Sequence, residues 1–564
     1  MISLQMGEWH ISQGLVGFYR IMKQANHKVQ VKDDGLQLSI MDLEMLPESY
    51  FHFFLDKYSV LKRDVYRLEQ ALWRFRSGKK EAKKVMDDII KSLNDKIGKY
   101  FSDLAAAQEA LSLGEQIRKS KEYTLNLEEE VSLYCQRIGT KVIHDKLTSN
   151  YFKAVVLGPY FGQVSFLNVV KNDLNIPEQV ELFRKDYIVP AIEEYQFTQL
   201  LKTAETEQEI TQWLEECNHT HLTKLKRPFK KLNLEQMREY ITNHINRCSF
   251  FDGFYAFEEY NEGNFSPLAL SAKNAINFTW EGRGNLTIPM SAIAKLILFC
   301  APAGAVISGK KSLFVQLEGT FHELLHVNES YALSKEKNKV FDEIVFDIVR
   351  ETQQKSHDTL IKHYLFLEYE SDYSSKKTLL DYLILTPAIC KLFMEHHVLF
   401  TKLSYSLRDS LVHEILRHRD PKPLLITYFR ENIDSNFISS EVLHAVLIRH
   451  FYQRYQKGGI NVAFDARKES DKVKSLYRSG FYVQQEIGER KAEQVAYRLL
   501  NATRAGDKQM FMDTVMRLYI SAEKRMPQLL LNALHEDELD FPTVANAWIA
   551  GLISKKEEKK DEQK

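Results

Sequence analysis

A chain of 564 residues in which 76 Lys and Arg face 76 Asp and Glu has no net charge, so any nucleic-acid footprint must come from local patches and not from the whole chain. Hydrophobic residues at 44% exclude a wholly disordered polymer, and the length calls for more than one core. Cys135, Cys217, Cys248, Cys300 and Cys390 are scattered and contain no C-x-x-C pair, which argues against a disulfide framework and for a reducing, cytoplasmic setting.

The opening MISLQMGEWHISQG lacks the basic and apolar regions of a signal peptide. GLVGFYRIMKQ has a helical pattern, and HKVQVKDDGLQLSIM alternates around Asp34-Gly35 as a hairpin does. A long helical pattern follows from LPESYF to ALWRF, and residues 80–220 keep that period except for the glycine-broken LGPYFGQVSFLN at 157–168. Residues 250–289 are aromatic and glycine-rich, the expected second β region. The apolar run 288–308 carries Lys295 near its middle and prolines near both ends, so a buried helix and turn is expected and not a membrane span. From about residue 335 the helical period is almost unbroken, with DPKP at 420–423 as a natural boundary. The expected fold class is therefore α+β, predominantly helical: a mixed N-terminal body over 1–430 with small β regions, a C-terminal helix bundle over 431–553, and a disordered tail over 554–564.

FHELLHVNES at 321–330 spells H-E-x-x-H, in which His322 and His326 would hold zinc and Glu323 would act as base, with Glu343 as third ligand and Asp347 behind it. Such a chain would be a zinc metalloprotease. Against this, Thr320-x-x-Glu323 is a capping box that already employs the glutamate, and the helix is expected to end soon after His326 at VNES.

GEWHISQGLVGFYRIM, NLTIPMSAIAKLILFCAPAGAVIS and AYRLLNATRAGDKQMFMDTVMRLYISAEKRMP, in that order, together resemble the large subunit of the type I-B CRISPR Cascade surveillance complex, of the Cst variety. The resemblance implies a non-catalytic subunit without a cofactor, placed near the 5′ handle of the guide RNA. Its implied work is to recognise the protospacer-adjacent motif beside target double-stranded DNA, to stabilise the R-loop, and to help recruit a helicase-nuclease in antiviral defence. Other Cascade subunits would be partners, and the C-terminal helices would brace the displaced single strand in place of a small subunit. In guided effectors of this kind base pairing reads the sequence while protein reads the flanking motif. Such subunits often carry paired C-x-x-C knuckles, absent here. Cys217-x3-His221 and His244-x3-Cys248 could supply four zinc ligands, although neither spacing is that of a tight knuckle, which favours an unmetalled segment.

Four sets of residues are candidates for nucleic-acid contact. Lys224, Lys226, Arg227, Lys230 and Lys231 cluster beside Phe229 with no acid among them, and RFRSGKKEAKK ranks second with Arg74, Arg76, Lys79, Lys80, Lys83 and Lys84. Flanking-motif readers are sought in glycine loops that let backbone approach DNA, which selects Gln163, Asn168, Arg283 and Asn285. Residues 441–535 hold 16 Lys and Arg against 10 Asp and Glu, and Arg490, Lys491, Arg498, Arg504, Lys508 and Arg517 are expected to be exposed towards a single strand.

Overall fold

The computed structural model describes residues 1–101, 104–268, 288–308, 310–336, 339, 341–355, 363–372, 377–433, 441–459, 464–532 and 539–554. The chain opens with β1 (Ile2–Gln5), α1 (Trp9–Gln24), β2 (Gln30–Lys32), β3 (Gly35–Leu38) and α2 (Ile40–Lys57). Five helices follow, α3 (Val60–Arg76), α4 (Glu81–Tyr100), α5 (Ala105–Lys119), α6 (Leu125–Ile138) and α7 (Lys141–Tyr151), the last running into a π-helical turn at Phe152–Leu157. Next come α8 (Ile176–Phe183), α9 (Val189–Thr203), α10 (Glu207–Glu216), α11 (Lys226–Phe229), α12 (Leu234–His244), β4 (Glu258–Glu259), β5 (Pro289–Met290) and α13 (Ala292–Gly304). The remainder is β6 (Val306–Ser308), β7 (Lys311–Leu317), α14 (Phe321–Glu336), α15 (Phe341–Lys355), β8 (Tyr364–Asp372), β9 (Lys377–Leu385), α16 (Pro387–Thr401), α17 (Tyr405–Leu416), α18 (Lys422–Asn432), α19 (Glu441–Gly458), α20 (Ala466–Ile487), α21 (Glu489–Ala505), α22 (Lys508–Ser521), α23 (Gln528–Leu531) and α24 (Phe541–Leu552). The fold is predominantly helical α+β, as the periodicity predicts.

Two compact units divide the chain. The first comprises Met1–Gln316, Thr320–Asn328 and Leu367–Asp381. Its hairpin of β2 and β3 pairs Lys32 with Gly35, and β1, which the alternation did not reveal, adds to the other edge of β3 to give the order β1-β3-β2. Gly35 is required by that added strand, because a Cβ there would lie 2.0 Å from the Leu4 carbonyl oxygen. The same requirement recurs where α1 crosses α13. A Cβ on Gly17 would lie 2.0 Å from the Cys300 carbonyl oxygen, and one on Gly304 would lie 2.0 Å from that of Gln13. Backbone thus packs directly on backbone, and Arg20 of α1 secures the crossing by donating to the C-terminal carbonyls of α13, Ala303 at 3.2 Å and Gly304 at 2.7 Å.

Around α13 the side chains of Tyr50, Phe161, Phe183 and Tyr187 converge on Phe299, with ring centroids 4.4–5.5 Å apart. Pairs of this kind add about 0.5–1.5 kcal/mol each beyond their buried area. All of α13 is buried except Lys295, whose ammonium meets Glu258 at 2.7 Å, so the apolar run is the buried helix expected. No helix among the described residues is long and apolar enough to cross a membrane. The helices α3–α7 close on a separate apolar core that includes Leu68, Phe75, Ile90, Tyr134 and Ile143.

Of the expected second β region at 250–289, the described residues form the two-residue strands β4 and β5, paired antiparallel, and residues 269–287 lie outside the described ones. One expectation is corrected: the almost unbroken helical region after 335 contains the nine-residue strands β8 and β9. In β8, buried Phe366 and Tyr369 alternate imperfectly with Glu368 and Glu370, a period blurred by the equally buried Leu367. Within the first unit β6, β7 and the parts of β8 and β9 that belong to it form a sheet in the order β6-β7-β8-β9.

The second unit comprises Leu317–Gly319, Glu329–Phe366 and Tyr382–Lys564. The expected bundle over 431–553 is therefore joined in one compact unit by α15–α18, and DPKP separates α17 from α18 inside that unit. Its centre is α24, packed on α20 through Gly480 and Gly551. Arg449 of α19 is 1% exposed and ties Asp420, ahead of α18, to Asp540, the N-cap of α24. Residues 555–564 lie outside the described ones.

Candidate nucleic-acid interface

One face of α3 presents Arg63, Tyr66, Arg67, Gln70, Trp73 and Arg74 to solvent while Leu68, Ala71, Leu72 and Phe75 fill the core behind. Tyr66 is 61% and Trp73 63% exposed, large apolar rings left out of the core. Their spacing of seven residues puts both on one side of the helix. Tyr66, with Ala71 of the same helix and Ala82 and Val85 of α4, borders a groove of about 370 Å³ whose polar members are Arg67, Gln70 and Arg74. Arg63 pairs with its neighbour Asp64 at 2.8 Å and Arg67 stands 4.0 Å from the same carboxylate, whereas Arg74 has no ion pair among the described residues. Exposed rings interleaved with guanidinium groups suit a single strand, whose bases stack and whose phosphates pair. The basic run beyond this face is divided by the fold. Lys83 is tied to Asp87 and to the carbonyls of Ile117 and Arg118, and Arg76 faces Glu128 at 3.7 Å, while Lys79, Lys80 and Lys84 remain exposed.

The second patch rests on a buried anchor. His219 Nδ1 accepts from the backbone N–H groups of His221 and Leu222 at 3.2 Å, which leaves the proton on Nε2, 3.3 Å from Glu194 Oε1. The other oxygen of Glu194 accepts the Ala292 N–H at 2.7 Å, at the start of α13. Burial pushes the Glu194 carboxyl up, an effect that His219 and this N–H partly offset. Downstream of this anchor Lys224, Arg227, Lys230 and Lys231 are exposed, Lys226 is half-buried, and none of the five forms an ion pair among the described residues. Phe229 is not their stacking partner: it is 1% exposed and meets the edge of Tyr240 in the core. Replacing Lys226, Arg227, Lys230 and Lys231 together with glutamine should weaken nucleic-acid binding and reduce the slope of log affinity against log salt by roughly 2–3. An unchanged slope in a fluorescence-anisotropy titration would make the patch a solvated face.

Of the proposed flanking-motif readers, Gln163 is exposed at the rim of a cleft of about 670 Å³. Asn168 is half-buried and its Oδ1 is engaged by the Val170 N–H at 3.0 Å, which caps a short 3-10 turn. Arg283 and Asn285 lie outside the described residues. In the second unit Arg490, Lys491, Arg498 and Arg504 share α21 and are exposed, as is Arg517 of α22, while Lys508 is half-buried. Lys491 donates to Ser521 at 3.0 Å.

The H-E-x-x-H segment forms the first turn of α14. Glu323 Oε2 accepts from the backbone N–H of Thr320 at 2.8 Å and from its hydroxyl at 3.1 Å, the capping box expected from the sequence. His322 and His326 are both exposed. The helix does not end after VNES but continues to Glu336, because Asn328 turns inward and bonds Val315 N–H and carbonyl at 3.0 and 2.8 Å. Glu343 and Asp347 are engaged by cations, Arg408 at 3.7 Å and Lys339.

Residues 253–306, the segment that leads into and includes α13, match the family described as CRISPR-associated protein (Cas_CXXC_CXXC). The match supports a CRISPR-associated protein. No curated protein and no solved structure matches the chain.

This CRISPR-associated segment lacks the paired cysteines of the family's description: its single cysteine is Cys300, buried in α13, where burial pushes the thiol well up. The four Cys and His proposed as substitutes have separate partners. Cys217 Sγ lies 3.3 Å from Glu193 Oε2, with its thiol pushed up to about 11 by burial. Burial likewise pushes half-buried His221 down. His244 stacks on Tyr240 with its Nδ1 3.0 Å from the Tyr240 carbonyl, and Cys248 Sγ accepts from the Ser291 hydroxyl at 3.2 Å. Among the described residues no group of three or more His, Cys, Asp or Glu is placed to hold a metal ion. What sequence reasoning missed is Tyr66 and Trp73, whose exposure becomes visible only once Leu68 and Phe75 are seen to occupy the opposite face.

Proposed function

We propose that this chain is the non-catalytic large subunit of a type I-B Cascade complex, which recognises the protospacer-adjacent motif, holds the R-loop open and helps recruit a helicase-nuclease. The observation that carries the reading is the CRISPR-associated match over 253–306, in the segment that contains the central helix α13. The α3 face and the unpaired cations at 224–231 support nucleic-acid contact, and exposed Arg490, Arg498, Arg504 and Arg517 are suited to the displaced strand. The guide RNA, the target duplex and the other Cascade subunits are the partners on this reading. A zinc-protease reading has against it the commitment of Glu323 to the α14 cap.

The test is to assemble the chain with guide RNA and its companion subunits and to measure binding of a target duplex with and without a flanking motif. Motif-dependent binding is expected, and binding indifferent to the flank would overturn motif recognition. In the same assay Tyr66→Ala with Trp73→Ala should weaken binding about tenfold or more, since each stacked base is worth about 1–3 kcal/mol, while leaving the salt slope unchanged. Undiminished binding would remove the α3 face from the interface.

A further inference from the structure

The cleft beside Gln163 contains a feature that the fold does not account for. Lys153, on the π-helical turn that ends α7, is 9% exposed and lines the cleft, yet its ammonium has no hydrogen bond or ion pair among the described residues. The Phe166 ring centroid lies 5.6 Å from Nζ. A buried ammonium without an anion is costly, and a packed core would be better served by methionine at this place. π-helical turns of this kind concentrate at functional sites.

The rest of the cleft complements one building block. The side-chain amides of Asn150, Gln163 and Asn172 line it, each without a partner among the described residues. Tyr100, Val155 and Val169, all partly exposed, supply apolar surface at its mouth. A volume of about 670 Å³ lies within the range of small-ligand sites, roughly 300–1,000 Å³. The charged groups around Lys153 are Lys146 of α7, Lys310 and Glu370.

We propose that this cleft binds one nucleotide of a nucleic-acid strand, its phosphate on Lys153 Nζ and its base edge on Asn150, Gln163 and Asn172. The inference rests on the nucleic-acid reading above and assigns it a site separate from the α3 face. The phosphate supplies an anion that Lys153 lacks among the described residues, and the amides offer both donors and acceptors to a base edge. Burial, with a smaller contribution from Lys146, pushes the Lys153 ammonium down to about 8. Binding should therefore weaken as pH rises from 7 to 9 and the charge on Lys153 is lost.

The experiment uses the full chain and two fluorescent eight-nucleotide single strands, one RNA and one DNA, which distinguish the two sources of the same chemistry. Lys153→Met is expected to weaken binding of at least one strand about tenfold or more, to flatten its dependence on pH between 7 and 9, and to raise the melting temperature by relieving the buried charge. Should Lys153→Met fold poorly, Gln163→Ala with Asn172→Ala, both exposed, should weaken binding at an unchanged melting temperature. If Lys153→Met melts lower and binds as the parent does, the lysine is structural and the proposal fails. If Lys153→Met and the amide variant bind normally while the Tyr66 and Trp73 variant does not, the cleft is overturned and the broader reading stands. If the parent chain binds neither strand, both fall.

Discussion

Replacing Gly17 with alanine is expected to cost about 3 kcal/mol or more of stability, although it adds a single methyl group. Overpacking a core typically costs about 1–3 kcal/mol because side chains shift to make room. Here no side chain can shift, since the obstacles are the Cys300 carbonyl carbon and oxygen and the Gly304 nitrogen, 2.0–2.9 Å from the added carbon. The helices α1 and α13 must separate, which loosens the aromatic packing on Phe299. Gly304→Ala makes the reciprocal clash with Gln13, so the double variant should be less damaging than the sum of the two, because one separation relieves both. Gly98 of α4 is the control: nothing lies within 4 Å of its added carbon, and Gly98→Ala should stabilise by about 0.5–1 kcal/mol. Urea unfolding of the three single variants and the double tests the set. Equal effects at Gly17 and Gly98 would refute backbone contact as the determinant.

Arg449→Met is the second large effect expected, in the second unit. The guanidinium donates Nε to Asp420 Oδ1 at 2.6 Å, Nη2 to Asp420 Oδ2 at 2.7 Å, and Nη1 to Asp540 Oδ2 at 2.9 Å and Thr543 Oγ1 at 3.1 Å. Removing it leaves two carboxylates facing each other with one of them serving as a helix cap, and breaking a buried pair in this way costs about 3–5 kcal/mol. Because the Asp420 side chain is 43% exposed, the lower end of that range applies. Burial on its own would raise the Asp420 carboxyl, but the hydrogen bonds and charge of Arg449 outweigh it and hold the group below its ordinary value. A depressed carboxyl contributes stability that is full above its unfolded pKa and is lost as pH falls through the folded one. The parent should therefore lose this contribution in acid, and Arg449→Met should lack that part of the pH dependence in thermal melts. For the same reason a fragment beginning at 431, which discards Asp420 and α16–α18, should be markedly less stable than one beginning at 382. Comparable melting of the two fragments, or an Arg449→Met variant as stable as the parent at neutral pH, would contradict this account.

The three sequence stretches that suggested a Cascade large subunit acquire a physical meaning in the fold. The first contains Gly14, Gly17 and Arg20 of α1, and the second is α13, the helix against which those residues close. The third spans α21 and α22, and Trp548 of α24 donates to Tyr519 of α22 at 3.1 Å. Gly14, Gly17 and Gly304 tolerate few residue types because backbone approaches backbone there.

Features governed by neighbours in the chain were legible from the sequence alone. The hairpin at 30–38, the Thr320 capping box, the buried course of α13 and the mainly helical character all depend on contacts within a few residues or on one helical period. The same sequence placed exposed cations at 224–231 and on α21, since four or more charges on a short segment cannot all be buried. Only the tertiary structure decided which charges were already spoken for, which is why Lys83 and Arg76 lie in paired settings while Lys79, Lys80 and Lys84 remain exposed. It also decided that Phe229 is core while Trp73 is surface, that β1 joins the hairpin, that β8 and β9 interrupt the helices, and that Lys153 is buried without an ion pair among the described residues. Each of these depends on a partner tens or hundreds of residues away. Burial is a property of the assembled packing, and a local period reports only which side of an element is apolar, not what arrives to cover it.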